Sequence, residues 1–242
     1  MHEIEYKILI NEPLTEDIFE MVLDGDTRDI TKPGQFINIT IPGKFLRRPI
    51  SVCDWEDGKL TIIYKVVGEG TEVLSYMEAG EYLKALSGLG NGYDVALSPS
   101  RPVVAGGGVG IPPMYALTKK LVESGKHPYV ALGFNTEADM FYVDKFRALG
   151  VPVNVATVDG SVGAKGFVTD ILGDHDYAFC CGPMPMLRAV YGKVHGGQFS
   201  FEERMGCGFG ACMGCSCKTV TGYKRICREG PVLQKEEILW TD

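Results

Sequence analysis

Five of the chain's eight cysteines, Cys207, Cys212, Cys215, Cys217 and Cys227, fall within a stretch of 21 residues. Cys-x4-Cys-x2-Cys followed by a later cysteine is the spacing by which four thiolates hold a [2Fe–2S] cluster. Two irons need all four sulfurs on the inside of one tight bend. Glycines 206, 208, 210 and 214 permit the positive φ of such a bend and let backbone N–H groups approach the sulfurs. Structural zinc is the main rival, but zinc ribbons pair two short Cys-x2–4-Cys hairpins, whereas here three cysteines crowd one loop. A disulfide framework suits small secreted chains, and residues 1–6 carry neither the basic start nor the apolar core of a secretion signal. Five cysteines compete for four positions. Cys207, Cys212, Cys215 and Cys227 reproduce the three-then-one arrangement, with Cys217 a possible replacement for Cys215 or Cys227. A cluster moves one electron at a time, so the loop points to electron transfer.

Two glycine-rich turns suggest a dinucleotide. Gly106, Gly107, Gly108 and Gly110 follow a short apolar run and precede a helical segment, as a pyrophosphate-binding turn requires. The run departs from G-x-G-x-x-G because Ile111 stands where the last glycine would, and close strand–helix packing is the alternative use of such glycines. Cys181, Gly182 and Pro183 repeat the strand–turn–helix pattern, with proline suited to a first helical turn. The segment 134–139 has no arginine or lysine to meet a 2′-phosphate, so NAD(H) is expected over NADP(H). The glycines of loop 159–166 could line the same cleft.

A third group lies nearer the N-terminus. In Arg48, Pro49, Ile50 and Ser51 a guanidinium fork suits a diphosphate and a hydroxyl follows three residues later. Ile63, Tyr64 and Lys65 offer an aromatic ring for stacking. Gly70 and Thr71 open a short helix where a phosphate could sit. Together these read as an FAD site, although each alone would pass for an ordinary strand edge. The four histidines show no ligand spacing and no nucleophile to partner, so no catalytic acid–base residue is assigned.

These groups need scaffolds of different kinds. Residues 1–98 read as a small β-barrel, with strand-like runs at 3–10, 17–23, 35–41, 60–67 and 82–86 and a helix at 71–77. Residues 99–196 alternate apolar runs (103–105, 129–133, 151–156, 177–181) with helical segments (112–124, 140–149, 166–172, 183–194). That alternation predicts a parallel, helix-covered nucleotide-binding sheet. Residues 197–242, entered by a strand at 198–203, form the cysteine module. The fold class is therefore α+β multidomain. The length of 242 residues, 45% hydrophobic content and net charge of −7 fit a soluble, cytoplasmic protein with no nucleic-acid or membrane partner.

In this order, RPIS, GEGT, GGGVGIPP, DGSxGxKG, CGP and the cysteine loop closely resemble the electron-transfer subunits of NAD-dependent (B-type) dihydroorotate dehydrogenases, within the ferredoxin-reductase superfamily. The run from Cys207 to Cys215, followed by Cys227 and Gly230-Pro231-Val232, is its most specific part. The resemblance implies FAD on residues 48–51, 63–65 and 70–71, and a [2Fe–2S] cluster on Cys207, Cys212, Cys215 and Cys227. It implies NAD(H) as co-substrate and an FMN-containing catalytic subunit that oxidises dihydroorotate to orotate in pyrimidine biosynthesis, with two copies of each subunit. Similar chains serve electron-bifurcating ferredoxin:NADP oxidoreductases and some hydrogenases. The gap from Cys215 to Cys227 is short for the family, and Glu229 stands where aspartate is usual.

Overall fold

A computed structural model describes residues 1–240. Six antiparallel strands close the N-terminal barrel: β1 (Glu3–Pro13), β2 (Ile18–Asp24), β3 (Phe36–Ile39), β4 (Arg48–Glu56), β5 (Lys59–Lys65) and β6 (Tyr82–Leu89), in the order β1-β2-β5-β4-β3-β6. Period-2 alternation decides which side chains fill it. Met21, Leu23, Ile37, Ile39, Val52, Leu60, Ile62 and Tyr64 point inward and are buried. The intervening Ile18, Cys53 and Ile63 point outward and join a different core. The arginine–serine motif, read from the sequence as chemistry alone, is the start of β4. The short helix α1 (Glu69–Ser75) follows β5.

The second layer is a seven-stranded sheet of order β10-β9-β8-β7-β11-β12-β15. Its members are β7 (Val103–Gly107), β8 (Tyr129–Phe134), β9 (Val153–Thr157), β10 (Ala164–Lys165), β11 (Tyr177–Cys181), β12 (Gly196–Ser200) and β15 (Val232–Gln234). Strands β7 to β12 run parallel, and β15 returns antiparallel along β12. Thus residues 196–200 and 232–234, on either side of the cysteine loop, are built into the sheet. The helices are α2 (Ile111–Glu123), α3 (Val143–Ala148) and α4 (Met184–Tyr191). Two expected helices are shorter than their patterns. Tyr142 takes a left-handed φ of 65° just before α3. Residues 166–172 form only a 3-10 turn at Val168–Asp170, where Asp170 turns back to accept the Phe167 N–H. No helix among the described residues is long and apolar enough to cross a membrane.

Two apolar clusters weld the layers. In one, Ile18, Cys53 and Ile63 of the barrel pack with Val104, Ile111, Met114 and Leu117. In the other, Phe36 and Leu89 of the barrel share a core with Val103, Ala178 and Phe199 of the sheet and with Cys215, Ile226 and Cys227. Polar ties add direction. Lys119 of α2 donates to both carboxylate oxygens of Asp54 at 2.9 and 2.8 Å. Gln198 of β12 is fully buried and clasps the connecting segment, accepting from the Asp94 N–H and donating to the Asp94 carbonyl, each at 2.7 Å.

Two substitutions test this packing. Gln198→Leu strips the backbone groups of Asp94 of their partners and should lower stability by about 2 kcal/mol, or roughly 4–8 °C in a thermal melt. A Cβ on Gly110 would lie 2.4 Å from the Cys181 carbonyl oxygen, a backbone atom that cannot swing away. Gly110→Ala should therefore lower stability by about 1–3 kcal/mol by the same assay.

Candidate functional site

Sheet order brings the two glycine turns together. From β7 the chain runs outward one way through β8, β9 and β10, and the other way through β11 and β12. The β7/β11 boundary is therefore a topological switch point, where open α/β sheets bind ligands beyond their strand C-termini. Gly106 lies opposite Cys181 in register. Gly107 and Gly182 both face the Met186 sulfur, which an added Cβ would approach to 2.4 and 2.8 Å. Gly108 has φ of +52°, so Gly106, Gly107, Gly108 and Gly110 turn the chain sharply before α2. Pro183 directly precedes α4. Burial pushes the Cys181 thiol up to about 12, which marks it as packing and not as a nucleophile. On the neighbouring loop Glu137 is exposed, and its N–H donates to Ser161 Oγ at 2.8 Å.

On the barrel, Arg48 lies over Gly70, where a Cβ would come within 2.3 Å of its Nε. Its Nη1 donates to the Leu46 carbonyl at 2.7 Å. Thr71 Oγ1 accepts from the Val67 N–H at 3.0 Å and donates to the Gly68 carbonyl at 3.1 Å, fixing the turn into α1. Pro49, Ile50 and Ser51 are half-buried along β4. Residues 63–65 part company. Ile63 joins the interlayer core and Lys65 pairs with Asp17 at 2.8 Å. Tyr64 corrects the expected stacking role: its ring is 1% exposed inside the barrel, stacked on Phe19, with its hydroxyl donating to Asn11 Oδ1 at 2.8 Å. In the β5 alternation Tyr64 shares the inward face with Leu60 and Ile62, so only its backbone could meet a ligand.

The cysteine loop arranges its sulfurs in two pairs. Cys207 Sγ accepts from the N–H groups of Ala211 and Cys212 at 3.2 and 3.4 Å, and Cys212 Sγ accepts from those of Cys207 and Gly214 at 3.5 Å. Cys215 Sγ accepts from the Cys227 N–H at 3.4 Å, and both of these residues are 2% exposed. Burial raises the Cys207 thiol, but the N–H donors of Cys212 and Phe209 outweigh it and bring it down to about 6. The hairpin of β13 (Ser216–Thr219) and β14 (Gly222–Arg225) spans the short gap and returns Cys227 to Cys215. Two thiolates on each of two irons is what a [2Fe–2S] cluster asks, whereas zinc asks for four on one centre. Among the described residues no three acidic, histidine or cysteine side chains converge on a single ion. The paired donor set fits the binuclear cluster.

Cys217 lies on β13, lines a 530 Å³ cavity with Met184, Phe201 and Trp240, and packs against the core that holds Cys215 and Cys227. Arg225 braces the loop: Nη1 donates to the Gly210 carbonyl at 2.6 Å, and Nε and Nη2 grip Glu229. Glu229 also accepts the Arg225 N–H at 2.8 Å, and these hydrogen bonds hold its carboxyl at about 2. Asn38 of β3 donates from Nδ2 to the Cys207 carbonyl at 3.2 Å, tying barrel to loop. Neither Arg225 nor Asn38 stands out in the sequence. The available signal for Asn38 is one amide in the otherwise apolar strand β3.

Residues 202–239 match the family model described as the iron-sulfur cluster binding domain of dihydroorotate dehydrogenase B. The chain is 42% identical to a Bacillus pumilus protein named dihydroorotate dehydrogenase B (NAD(+)), electron transfer subunit, over 96% of each chain. It is 41% identical to the protein of the same name from Caldanaerobacter subterraneus, over 98% of this chain and 99% of the relative. Among solved structures, an NADH-dependent reduced ferredoxin-NADP oxidoreductase studied for flavin-based electron bifurcation aligns with TM-score 0.88 and 29% identity, over 97% of this chain and 90% of the other. A ferredoxin NADP+ reductase from Neisseria gonorrhoeae shares the fold at TM-score 0.68 and 14% identity, over 80% of this chain and 90% of the other. The chain therefore belongs to the family of electron-transfer subunits of NAD-linked dihydroorotate dehydrogenase B, with the ferredoxin-reductase fold.

Proposed function

We propose that this chain takes electrons from an FMN-containing catalytic subunit that oxidises dihydroorotate to orotate, and delivers them to NAD+. The observation that carries the reading is the pairing of Cys207 with Cys212 and of Cys215 with Cys227, packed against a barrel that bears a flavin-type motif. Family membership over nearly the full length supports it. An assembly of two copies of each subunit, in the cytoplasm, belongs to the same reading.

Bound FAD would exchange electrons singly or in pairs, and a [2Fe–2S] cluster singly, so the flavin belongs between cluster and nicotinamide. The chain's own residues provide placement. Arg48, held over Gly70, would clamp the flavin pyrophosphate, with Thr71 shaping the adjoining turn and Pro49, Ile50 and Ser51 walling the ring. The backbone of residues 63–65 would border the same ligand. Gly106, Gly107, Gly108 and Gly110, with Cys181, Gly182 and Pro183 beside them, would offer backbone N–H groups at the switch point to the NAD(H) phosphates, beside the Met186 side chain. Glu137 in place of a basic residue supports NAD(H) over NADP(H). Cys207, Cys212, Cys215 and Cys227 would hold the irons, with backbone N–H donors and the Arg225 guanidinium offsetting the thiolate charge. No proton-transfer side chain is required.

An anaerobic assay of the native complex, captured by a tag on this chain, tests the reading. Dihydroorotate should reduce NAD+. A complex that oxidises NADH yet ignores dihydroorotate would move the chain to another reductase assembly, such as the bifurcating type at TM-score 0.88. Cys212→Ser should abolish transfer from dihydroorotate to NAD+ and remove the reduced-cluster EPR signal, while sparing NADH oxidation by an artificial flavin acceptor. Cys217→Ser should keep the EPR signal, and its loss would place Cys217 among the ligands.

A further inference from the structure

Asn38 is 1% exposed, and its two polar ends are treated differently. Nδ2 donates to the carbonyl of Cys207, while Oδ1 is buried with no donor among the described residues. Buried amides are nearly always satisfied at both ends, so an orphaned acceptor points to a donor from outside the polypeptide. The strand pattern says where that group lies. Ile37 and Ile39 fill the barrel, so Phe36 and Asn38 face outward, and Phe36 enters the core shared with Cys215 and Cys227. Asn38 pairs in register with Pro49 and Phe36 with Ser51, on the strand that begins at Arg48. The amide therefore stands between the flavin-type strand and the first cysteine of the loop. Gly208 is fitted to it: a Cβ there would lie 2.2 Å from Nδ2, and Gly208 sits at φ of +80°.

An unpartnered carbonyl oxygen needs an N–H or O–H. Thiolates and inorganic sulfides offer only acceptors, whereas a flavin carries a ring N–H and ribityl hydroxyls. We propose that Asn38 is a two-ended positioning residue: Nδ2 holds the Cys207 backbone, Oδ1 accepts from the bound flavin, and the amide thereby sets the flavin–cluster gap. This rests on the assignment of FAD and a [2Fe–2S] cluster made above. It adds a contact that no motif contains.

The test uses the full-length protein in its complex, comparing Asn38→Leu and Asn38→Asp with the parent. Its readouts are the FAD dissociation constant and the EPR line shape of the reduced cluster. Asn38→Leu should weaken FAD binding about tenfold, the scale of one hydrogen bond, and alter the line shape. Asn38→Asp keeps an acceptor oxygen in place but loses the amide donor, so it should retain FAD while altering the line shape. FAD affinity unchanged in Asn38→Leu would overturn the proposal. So would equal loss of FAD in both variants, which would make the residue part of the packing alone. If Asn38→Leu does not fold, Asn38→Asp decides: FAD retained with a changed line shape supports the flavin contact, and FAD lost sinks it. A parent protein with neither flavin absorbance nor an EPR signal would overturn the cofactor assignment itself, a separate failure.

Discussion

The barrel and the sheet are joined through a core that also contains Cys215 and Cys227, and that sharing governs the rest of the molecule. Phe36 and Leu89 leave the barrel to pack in the same buried cluster as Phe199 of the sheet and Cys215, Ile226 and Cys227 of the loop. Electron transfer between separate carriers needs their supports held at a fixed short distance. A flexible linker could not do that, whereas a close-packed interior resists displacement in every direction. The cysteine module is anchored at both ends by strands of the sheet, β12 entering and β15 returning.

Within that frame, polar ties do what apolar packing cannot, which is to fix register. The Gln198 clasp on Asp94, the Arg225 grip on Glu229 and Gly210, and the Asn38 bond to Cys207 each join backbone groups that loops would otherwise leave unpaired. Glu229 fills its place because its carboxylate reaches both the Arg225 guanidinium and the Arg225 N–H. The glycines at the switch point have a complementary role. Gly110 has no space for a side chain because the Cys181 backbone presses on it, and a side chain on Gly107 or Gly182 would have to displace the Met186 thioether. Close packing of the two turns therefore depends on the missing Cβ atoms.

Much of this was legible in the chain because the signals are local. Cysteine spacing is a local property, and so is a glycine run between an apolar stretch and a helix, or alternation along a strand. Those patterns yielded the barrel, the parallel sheet, the cysteine loop and the order in which they follow one another. Where local pattern misled, the cause was tertiary. The aromatic of β5 looked available for stacking until closure of the barrel put Tyr64 on its inner face. The segment 166–172 looked helical, yet Gly166 at φ of +136° and the Asp170 carboxylate reduced it to one turn.

The sequence by itself determined the donor types, their order and the alternation that sorts side chains into core and surface, because each depends on residues a few positions apart. Only the tertiary structure decided that the Cys227 N–H meets the Cys215 sulfur, that Cys217 lines a cavity with Trp240, and that Asn38, 169 positions before Cys207, touches the loop. Such contacts arise when strands distant in sequence meet in one sheet or one core. Nothing in the neighbouring residues encodes them, because the energy that fixes them is shared by the whole interior.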